Sequence, residues 1–286
     1  MNHNPQPKLL GETVWKYTRL IFPVLILSLG AFLMVFPFIW MISTSLKTTG
    51  GAFSYPPTLI PETLKWENYT KLFTTVPMGT FLLNSVKISG LTVLGMIISS
   101  SMAAYALALL NFPGRKLLFV GMLATLMIPY QVLIIPTFIL YDKMGVIDQQ
   151  LTLWLPAWFG GAFYIFLLRQ FYVMIPRDLY EAAMLECLSP GAILFQIYMP
   201  LSKPALATVA LLTFMASWND LLNPLVFLNT MEKFPLTAGL SFLQGQYGSD
   251  WPVMMASAVI SVVPILIFFL FSQRYFIEGV ANTGLK

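Results

Sequence analysis

Cysteine, histidine and charged side chains are scarce in this chain of 286 residues. Cys187 is the single cysteine, so no disulfide can form within the chain, and His3 is the single histidine. We therefore expect neither a metal cluster nor a Cys–His nucleophile. Charged residues make up only 10% of the sequence, against about 25% in soluble proteins. Such a chain is not expected to fold as a water-soluble domain.

Apolar residues are abundant instead. They account for 57% of the chain, and a run of about 20 of them is enough to cross roughly 30 Å of hydrocarbon. We expect an all-α membrane protein in which a tail at 1–18 precedes six transmembrane helices, at about 19–45, 81–110, 117–141, 151–172, 204–228 and 253–276.

The distribution of lysine and arginine predicts the orientation of these helices. With the N-terminus in the cytoplasm, all the arginines fall on the cytoplasmic side, in the set Lys8, Lys16, Arg19, Arg115, Lys116, Arg169, Arg177, Lys203, Arg274 and Lys286. The lysines left outside are fewer: Lys47, Lys65, Lys71, Lys143 and Lys233. We therefore expect both termini in the cytoplasm. The net charge of +4 follows from this topology, and no feature favours a nucleic-acid partner.

Prolines interrupt the predicted helices. A proline removes one backbone donor and frees the carbonyl four residues earlier. We expect kinks at Pro129, Pro136, Pro224 and Pro264. Such kinks either serve ordinary helix packing or line a polar pathway, and the sequence leaves both interpretations open.

One short, semi-polar segment, 176–204, separates two apolar runs. Asp178 and Glu181 have the spacing of a capping box, which predicts a helix that starts at Asp178. Pro190 and Gly191 are expected to end it. A helix of about three turns is too short to cross a bilayer, so we expect it on the cytoplasmic surface.

This segment resembles the EAA loop in permease subunits of binding-protein-dependent ABC importers, in which Glu-Ala-Ala is followed by Gly and then by Ile-x-Leu-Pro. The matching positions are Glu181, Ala182, Ala183, Ile197 and Pro200. Cys187 stands in place of the Gly, and Met199 in place of the Leu. Glycine would allow a left-handed turn that cysteine adopts only at a cost of about 1 kcal/mol or more. We therefore expect the helix to continue about one turn further and to break at 189–191.

Further stretches resemble the carbohydrate branch of this family, in particular its maltose-type second permease. They are FPGR at 112–115, IPRDLYEAA at 175–183, MPLSKPALA at 199–207, SWND at 217–220 and QRYFIEGV at 273–280. The resemblance implies the type I importer permease fold, with an ABC importer transmembrane domain at 19–286. It also implies a coupling loop at about 176–204 and a place in a bacterial inner membrane.

By this resemblance the surface helix is a coupling helix, seated in a cleft of a cytoplasmic ATPase. The residues that the resemblance assigns to this contact are Glu181, Ala182, Ala183, Leu185, Glu186, Cys187, Pro190 and Gly191. Glu181 would pair with a basic residue of the ATPase, or would only cap its own helix.

The energy source is expected in another subunit, because the chain contains no Gly-x-x-x-x-Gly-Lys-Ser/Thr phosphate loop. We expect no cofactor in this chain, and ATP and Mg²⁺ would be bound by the partner ATPase. By resemblance the assembly contains a second permease subunit, two copies of the ATPase and an extracytoplasmic solute-binding protein. Membrane lipid would surround the spans, and a sugar would be the substrate.

The most polar stretch at membrane depth is in the fifth predicted span, where Trp218, Asn219, Asp220 and Asn223 form a candidate substrate path. Asn219 and Asn223 are expected to share a helix face, since they are one turn apart. A lone acid at that depth costs about 2.5–3.5 kcal/mol and should face protein or water. Alternatively, the same residues contact the partner permease or hold the kink.

The predicted extracytoplasmic segment 229–252 contains a second polar group. Its members are Gln244, Gln246, Tyr247, Asp250 and Trp251. By resemblance this segment would contact the binding protein at its sugar cleft. An ordinary solvated hairpin is the alternative.

These features together predict a non-catalytic permease subunit of an ATP-driven sugar importer. The alternatives are an importer permease for a non-sugar solute, an ion-coupled carrier or channel, and a membrane scaffold without a pathway. The carrier is disfavoured because the chain has no visible internal repeat, which such carriers usually have. The sequence leaves the identity of the sugar open.

Overall fold

In the computed structural model of the protein, the described residues are 10–247 and 250–283, with side chains described except at 10–18, 20, 243–247 and 274–283. These residues form helices and connections, and no strand occurs among them. The helices are α1 (Leu10–Ser45), α2 (Thr49–Ala52), α3 (Glu67–Thr75), α4 (Met78–Leu109), α5 (Arg115–Thr125), α6 (Tyr130–Lys143), α7 (Leu151–Trp154), α8 (Ala162–Met174), α9 (Arg177–Leu185), α10 (Pro190–Ile193), α11 (Met199–Leu201), α12 (Lys203–Trp218), α13 (Leu222–Phe227), α14 (Leu236–Tyr247) and α15 (Trp251–Thr283). The predicted helical class is confirmed.

Short turns of other helical types connect some of these helices. A 3₁₀ turn at Leu155–Phe159 follows α7, and another at Met231–Lys233 precedes α14. A π turn at Leu194–Tyr198 joins α10 to α11. The segment from α10 to α11 is therefore one continuous helical stretch.

Long apolar helices dominate the chain. Among the described residues, four stretches could each cross a membrane: Ile21–Ser45, Met78–Leu109, Leu151–Met174 and Trp251–Gln273. Two helix pairs reach that length and apolarity only together. The α5–α6 pair is bent by 99°, and the segment Pro190–Leu201 meets α12 at 84°. In the described part of the chain, four helical stretches are thus long and apolar enough to span a membrane, or up to six if each bent pair is one span.

Three of the predicted spans are not continuous α-helices. The run 151–172 consists of α7, a 3₁₀ turn and α8, with Gly160 and Gly161 between the turn and α8. The run 117–141 is broken because Pro129 has an extended backbone (ψ 132°) at the N-cap of α6, where its missing N–H cannot continue α5. The run 204–228 is broken at residues 219–221, between α12 and α13. Pro136 and Pro264, by contrast, lie inside α6 and α15 without ending them.

The chain divides into two compact units, Met1–Lys71 with Tyr247–Val259 and Leu72–Gln246 with Ile260–Lys286. In the first unit, the segment after α1 is fixed to the end of that helix. Asn68 Nδ2 donates to the carbonyls of Ser45 and Lys47, at 2.8 and 2.9 Å. Lys47 is only 4% exposed, and its Nζ lies 4.8 Å from the centroid of the Trp40 ring. A cation–π contact thereby accompanies the burial of this lysine.

In the second unit, α4 is the central helix and packs against α8 and α12. Tyr198 contacts the rings of Tyr105 on α4 and Tyr172 on α8 edge to face, with centroids 5.6 Å apart in both pairs. Ala183 of α9 belongs to the same buried cluster. The cluster therefore joins α9 to the long helices of this unit.

Candidate functional site

The short helix of the segment 176–204 is α9, and it begins slightly earlier than the sequence predicts. Pro176 occupies its N-cap position without a side-chain cap, and Asp178 lies within the first turn. The predicted capping box of Asp178 and Glu181 is therefore wrong, because Asp178 is already helical. Glu181 Oε1 instead lies 3.7 Å from Arg177 Nε, and both side chains are about two-thirds exposed. A pair this exposed adds little stability.

Cys187 adopts the left-handed backbone conformation, with φ 58°. α9 ends at Leu185, and two backbone bonds close its end: Cys187 N donates to Met184 O and Leu188 N to Ala183 O, both at 3.1 Å. This is the Schellman arrangement, which glycine usually completes. The expectation that the helix continues past Cys187 is therefore wrong. The two bonds offset the roughly 1–2 kcal/mol that a side chain costs in this conformation.

Pro190 and Gly191 begin the next helix and do not end α9. The Oγ of Ser189 accepts from Ala192 N at 3.3 Å, as an N-cap. Pro190 takes the first helical position, where its missing N–H is no loss. Only residues 186–189 separate α9 from α10, so the two helices are closely linked.

Most residues assigned to the ATPase contact are on the surface. The exposed ones are Glu181, Ala182, Leu185, Glu186, Cys187, Pro190 and Gly191, and Ala183 is buried. Leu185 is 85% exposed, and Leu179 and Met184 are also exposed. α9 thus carries large apolar side chains that the described part of the chain leaves uncovered. A cluster of this kind is typical of a protein contact.

A cavity of about 480 Å³ lies in the second unit. Its wall includes Asp220 and Asn223 of the candidate path. Residues that the sequence did not single out also line it: Thr92, Tyr130, Tyr164, Thr213 and Ser217. The volume is within the range of small-molecule sites, about 300–1,000 Å³. The ring faces, hydroxyls, amide and carboxylate together suit a hydroxyl-rich ligand.

Asp220, Asn223 and Tyr130 form a hydrogen-bonded chain in this wall. Asp220 Oδ1 accepts from the backbone N of Asn223 at 3.2 Å, and its Oδ2 accepts from Asn223 Nδ2 at 2.8 Å. The hydroxyl of Tyr130 donates to Asn223 Oδ1. This arrangement depends on the break before α13, because Asp220 precedes that helix and its carboxylate accepts from a backbone N–H in the first turn.

Trp218 and Asn219 do not line the cavity. Trp218 is 1% exposed, and its Nε1 donates to Ser261 O at 3.1 Å. Its ring therefore has no free face for a sugar. Asn219 lies at the end of α12, where its Nδ2 donates to Met215 O at 2.8 Å. The expectation that it shares a helix face with Asn223 is wrong, because α12 ends between them.

A polar network, here called the Asp148 clasp, ties Asp148 to the segment 229–233. Asp148 has a left-handed backbone, with φ 62°. Its carboxylate accepts from the backbone N of Asn229 and Thr230, both at 2.9 Å, and from Lys233 Nζ at 2.7 Å. These bonds, and above all the one from Lys233, hold the pKa of Asp148 well below its ordinary value. Sequence analysis missed this network, because nothing in the sequence pairs the two segments.

Neighbouring side chains fix the same segment further along. Gln150 Nε2 donates to Lys233 O at 2.9 Å, and Asn84 Nδ2 donates to Phe234 O at 3.0 Å. Pro235, the next residue, lines the cavity. The clasp and these two amides therefore position one part of the cavity wall.

The residues assigned to the binding-protein contact are only partly described. Asp250 accepts from Thr49 Oγ1 at 3.3 Å and lies 3.8 Å from Lys71 Nζ. Trp251 is 40% exposed and lies next to Phe53, with 6.3 Å between ring centroids. The side chains of Gln244, Gln246 and Tyr247 lie outside the described residues. Their backbone belongs to α14, and the contact with a binding protein stays a prediction.

Comparison with known proteins decides the family. The family model described as "binding-protein-dependent transport system inner membrane component" matches residues 95–282, more than half of the chain. The chain belongs to this family. The resemblance carried by the segment 176–204 is thereby confirmed at the level of the family.

Relatives of this inner membrane component match nearly its whole length. The arabinooligosaccharides transport system permease protein AraQ of Halalkalibacterium halodurans is 37% identical over 90% of this chain and 92% of its own. The diacetylchitobiose uptake system permease protein NgcG of Streptomyces coelicolor is 32% identical over 91% of this chain and 86% of its own.

A solved structure has the same fold. A chain from a bacterial ABC transporter involved in the import of the acidic polysaccharide alginate matches 96% of this inner membrane component and 100% of its own length, with a TM-score of 0.78. Its sequence identity is 24%, so this likeness concerns the fold alone.

Proposed function

We propose that the protein is the permease subunit of an ATP-driven sugar importer in a bacterial inner membrane. The family supports the transport role, and the relatives named for arabinooligosaccharide and diacetylchitobiose uptake support a sugar as substrate. The chain catalyses no covalent step in this proposal. It forms half of a pathway with a second permease subunit, in the manner of a maltose-type second permease.

The observation that carries the proposal is the exposed helix α9. It has one buried attachment, Ala183, and an uncovered apolar side chain, Leu185. We assign it the role of the coupling helix, docked in a cleft of a cytoplasmic ATPase that binds ATP and Mg²⁺. Glu181 pairs there with a basic residue of the ATPase. This ion pair replaces the weak one that Glu181 makes with Arg177.

A continuous route leads from α9 to the cavity. The short link 186–189 joins α9 to the segment Pro190–Leu201, which meets α12 at 84°. α12 ends at Trp218, two residues before Asp220 in the cavity wall. Closure of the two ATPase copies would move α9, and the rigid stretch 190–201 would pass that movement to the wall of the path.

The remaining partners follow from the same assembly. A solute-binding protein delivers the sugar at the extracytoplasmic side, where Asp250 and Trp251 are assigned to its contact. Lipid surrounds the spans, which would number six, and both termini face the cytoplasm, as the lysine and arginine distribution predicts. In this orientation Asp220 and Asn223 lie along the sugar path.

Reconstitution tests this proposal. The complex of this chain with its second permease, ATPase and binding protein should take up sugar into proteoliposomes only with ATP. Glu181→Ala should lower both uptake and stimulated ATP hydrolysis by about tenfold, the effect of about 1.4 kcal/mol, with normal amounts of subunit in the membrane. Glu67→Ala, an exposed glutamate on α3, is the matched control and should change neither.

Other outcomes would identify a different protein. Transport by this chain alone, without an ATPase, would contradict the proposal and favour the ion-coupled carrier. Normal ATP-driven uptake by the Glu181→Ala complex would instead mean that Glu181 only pairs with Arg177 and has no role in coupling.

A further inference from the structure

The break between α5 and α6 lies at membrane depth. No charged residue occurs between Lys116, near the start of α5, and Asp142, near the end of α6. The two helices contain 11 and 14 residues, which gives lengths of about 16 and 21 Å. Half the thickness of the hydrocarbon is roughly 15 Å. The break is thus the part of this pair that is farthest from its charged ends, deep in the hydrocarbon.

The backbone of this break has unpaired polar groups. The N–H groups of residues 126–128 bond back to the last turn of α5, at 3.0, 3.1 and 3.2 Å. The carbonyls of 126–128 and the N–H groups of Tyr130 and Gln131 have no hydrogen-bond partner among the described residues. Every residue from 124 to 133 is exposed. Hydrocarbon offers no partner to such groups, so irregular backbone at this depth requires protein or water as its cover.

Gln131 adds a polar side chain at the same place. It is the only amide side chain in 115–143, and it is exposed, without a hydrogen-bond partner among the described residues. The two threonines of the pair, Thr125 and Thr137, instead donate to carbonyls of their own helices, at 2.6 and 2.7 Å. Glutamine side chains in membrane helices bond across to neighbouring helices. Gln131 therefore indicates a second protein surface at this depth.

α6 has two faces, and Gln131 lies on the one that points away from its own chain. On the inner face, Tyr130 lines the cavity. Phe138 and Tyr141 lie next to Phe227 there, with ring centroids 6.5 and 5.1 Å apart. The other face, here called the α6 outer face, consists of exposed residues at helical spacing: Gln131, Val132, Ile135 and Ile139. The unpaired amide is thus on the face that has no neighbour among the described residues.

Neither water nor lipid suits the α6 outer face as a whole. Val132 and Ile135 are 64% and 68% exposed, and their contact with water is unfavourable. Lipid would cover these two side chains but would leave Gln131 and the break unpaired. A protein helix with apolar side chains and one hydrogen-bonding side chain satisfies both. Because Tyr130 precedes Gln131 and lines the cavity, such a helix would lie beside the cavity.

We propose that the α6 outer face binds the second permease subunit. That subunit covers the break and places a hydrogen-bonding side chain, of Ser, Thr, Asn, Gln or Tyr, against the amide of Gln131. The inference rests on the proposed function, which requires a second permease but assigns it no surface on this chain.

Photo-cross-linking in the complete complex tests the contact directly. The photoreactive amino acid p-benzoylphenylalanine is placed at Ile135 of the α6 outer face. The matched control position is Ile267, which is 49% exposed on α15 in a stretch, 251–272, without any amide or charged side chain. In proteoliposomes, illumination should cross-link position 135 to the second permease and position 267 to lipid.

Gln131→Leu tests the hydrogen bond, because it removes the amide and keeps a side chain of similar size. It should weaken the association of the second permease about three- to tenfold, the effect of one hydrogen bond between membrane helices. Subunit dissociation on dilution of the purified complex in detergent measures this. Gln131→Asn keeps an amide and should retain part of the affinity. Gln170→Leu is the control, since Gln170 is an exposed glutamine next to Arg169 near the end of α8, and it should change nothing.

Four results would overturn the inference. Position 135 cross-links only to lipid, or to a second copy of this chain; Gln131→Leu leaves the association unchanged; or Gln131→Cys, in a Cys187→Ala background, reacts with a membrane-impermeant maleimide in the intact complex, which would show a water-filled path there. ATP-driven uptake by the same complexes separates the two proposals. Uptake together with any of these results refutes the contact surface alone, whereas uptake without ATP or without a second permease refutes the importer.

Discussion

α9 and the Asp148 clasp each contain a non-glycine residue in the left-handed backbone region, and they hold it in opposite ways. Cys187, with φ 58°, is held by two backbone bonds at an exposed helix end. Asp148, with φ 62°, is held through its own carboxylate by Lys233, 85 residues later in the chain. The contacts that hold Cys187 are thus local in sequence, whereas those that hold Asp148 connect distant segments.

This difference indicates what each region does. α9 has few attachments within its chain and carries exposed apolar side chains, so it is suited to a partner that supplies the missing contacts. The clasp satisfies its own charges within the chain and positions the residues next to Pro235 in the cavity wall. α9 is therefore accessible to a partner protein, whereas the Asp148 clasp is fixed by contacts within its own chain.

Asp148→Ala should produce the largest loss of stability, because four hydrogen-bond donors on Asn229, Thr230 and Lys233 lose their carboxylate acceptor and alanine disfavours a left-handed backbone. We expect the melting temperature of the purified protein to fall by about 5 °C or more, since roughly 2–4 °C corresponds to 1 kcal/mol in a chain of this size. Asparagine tolerates this backbone conformation and still accepts hydrogen bonds, so Asp148→Asn should lower the melting temperature less. An unchanged melting temperature for Asp148→Ala would contradict the view that the clasp is more firmly anchored than α9.

The clasp should also depend on pH in a defined window. Because the folded protein lowers the pKa of Asp148, the stability it contributes is fully present above the unfolded value of about 3.9. It is lost as the pH falls from there through the lower folded value. The difference in melting temperature between the unmodified protein and Asp148→Asn should therefore be constant from pH 7 to about 5 and should shrink below about 4. A difference that grows on acidification would contradict this assignment.

Cys187→Gly should stabilise the protein, because glycine has no Cβ to oppose the left-handed conformation. The expected gain is about 1 kcal/mol, or roughly 2–4 °C in melting temperature. Cys187→Ala keeps the Cβ and should give no such gain. Loss of stability in Cys187→Gly would show that α9 does not end in the Schellman arrangement.

Arg177→Ala should have the smallest effect, since its pair with Glu181 is mostly exposed. We expect a change below about 0.5 kcal/mol, within about 2 °C of the unmodified melting temperature. Lys233→Ala is the matched comparison in the clasp, and it should lower the melting temperature clearly more. Equal effects of the two substitutions would mean that the regions are not differently anchored.

Apolar runs and isolated polar residues were enough to predict much of this molecule. The long helices follow from runs of about 20 apolar residues. Asp220 was found because an acid within an apolar run must face protein or a cavity. These predictions needed information from one segment at a time.

The missed features depend on contacts between distant segments, or on a balance between a residue's backbone preference and local hydrogen bonds. The partner of Asp148 could not be inferred, because no local pattern indicates which distant loop meets it. Trp218 was assigned to the path on its chemistry, but packing places its ring in the interior. For Cys187 the residue preference was known, and two backbone bonds outweighed it.

The lone cysteine gives the most direct test of the central claim that α9 is bound by a cytoplasmic ATPase. Cys187 is exposed at the end of α9, so a membrane-impermeant maleimide can report its surroundings without any substitution. We predict labelling in inside-out vesicles stripped of the ATPase, protection when the ATPase is bound, and no labelling in right-side-out spheroplasts. Labelling from the external side, or labelling that the ATPase does not reduce, would contradict the account.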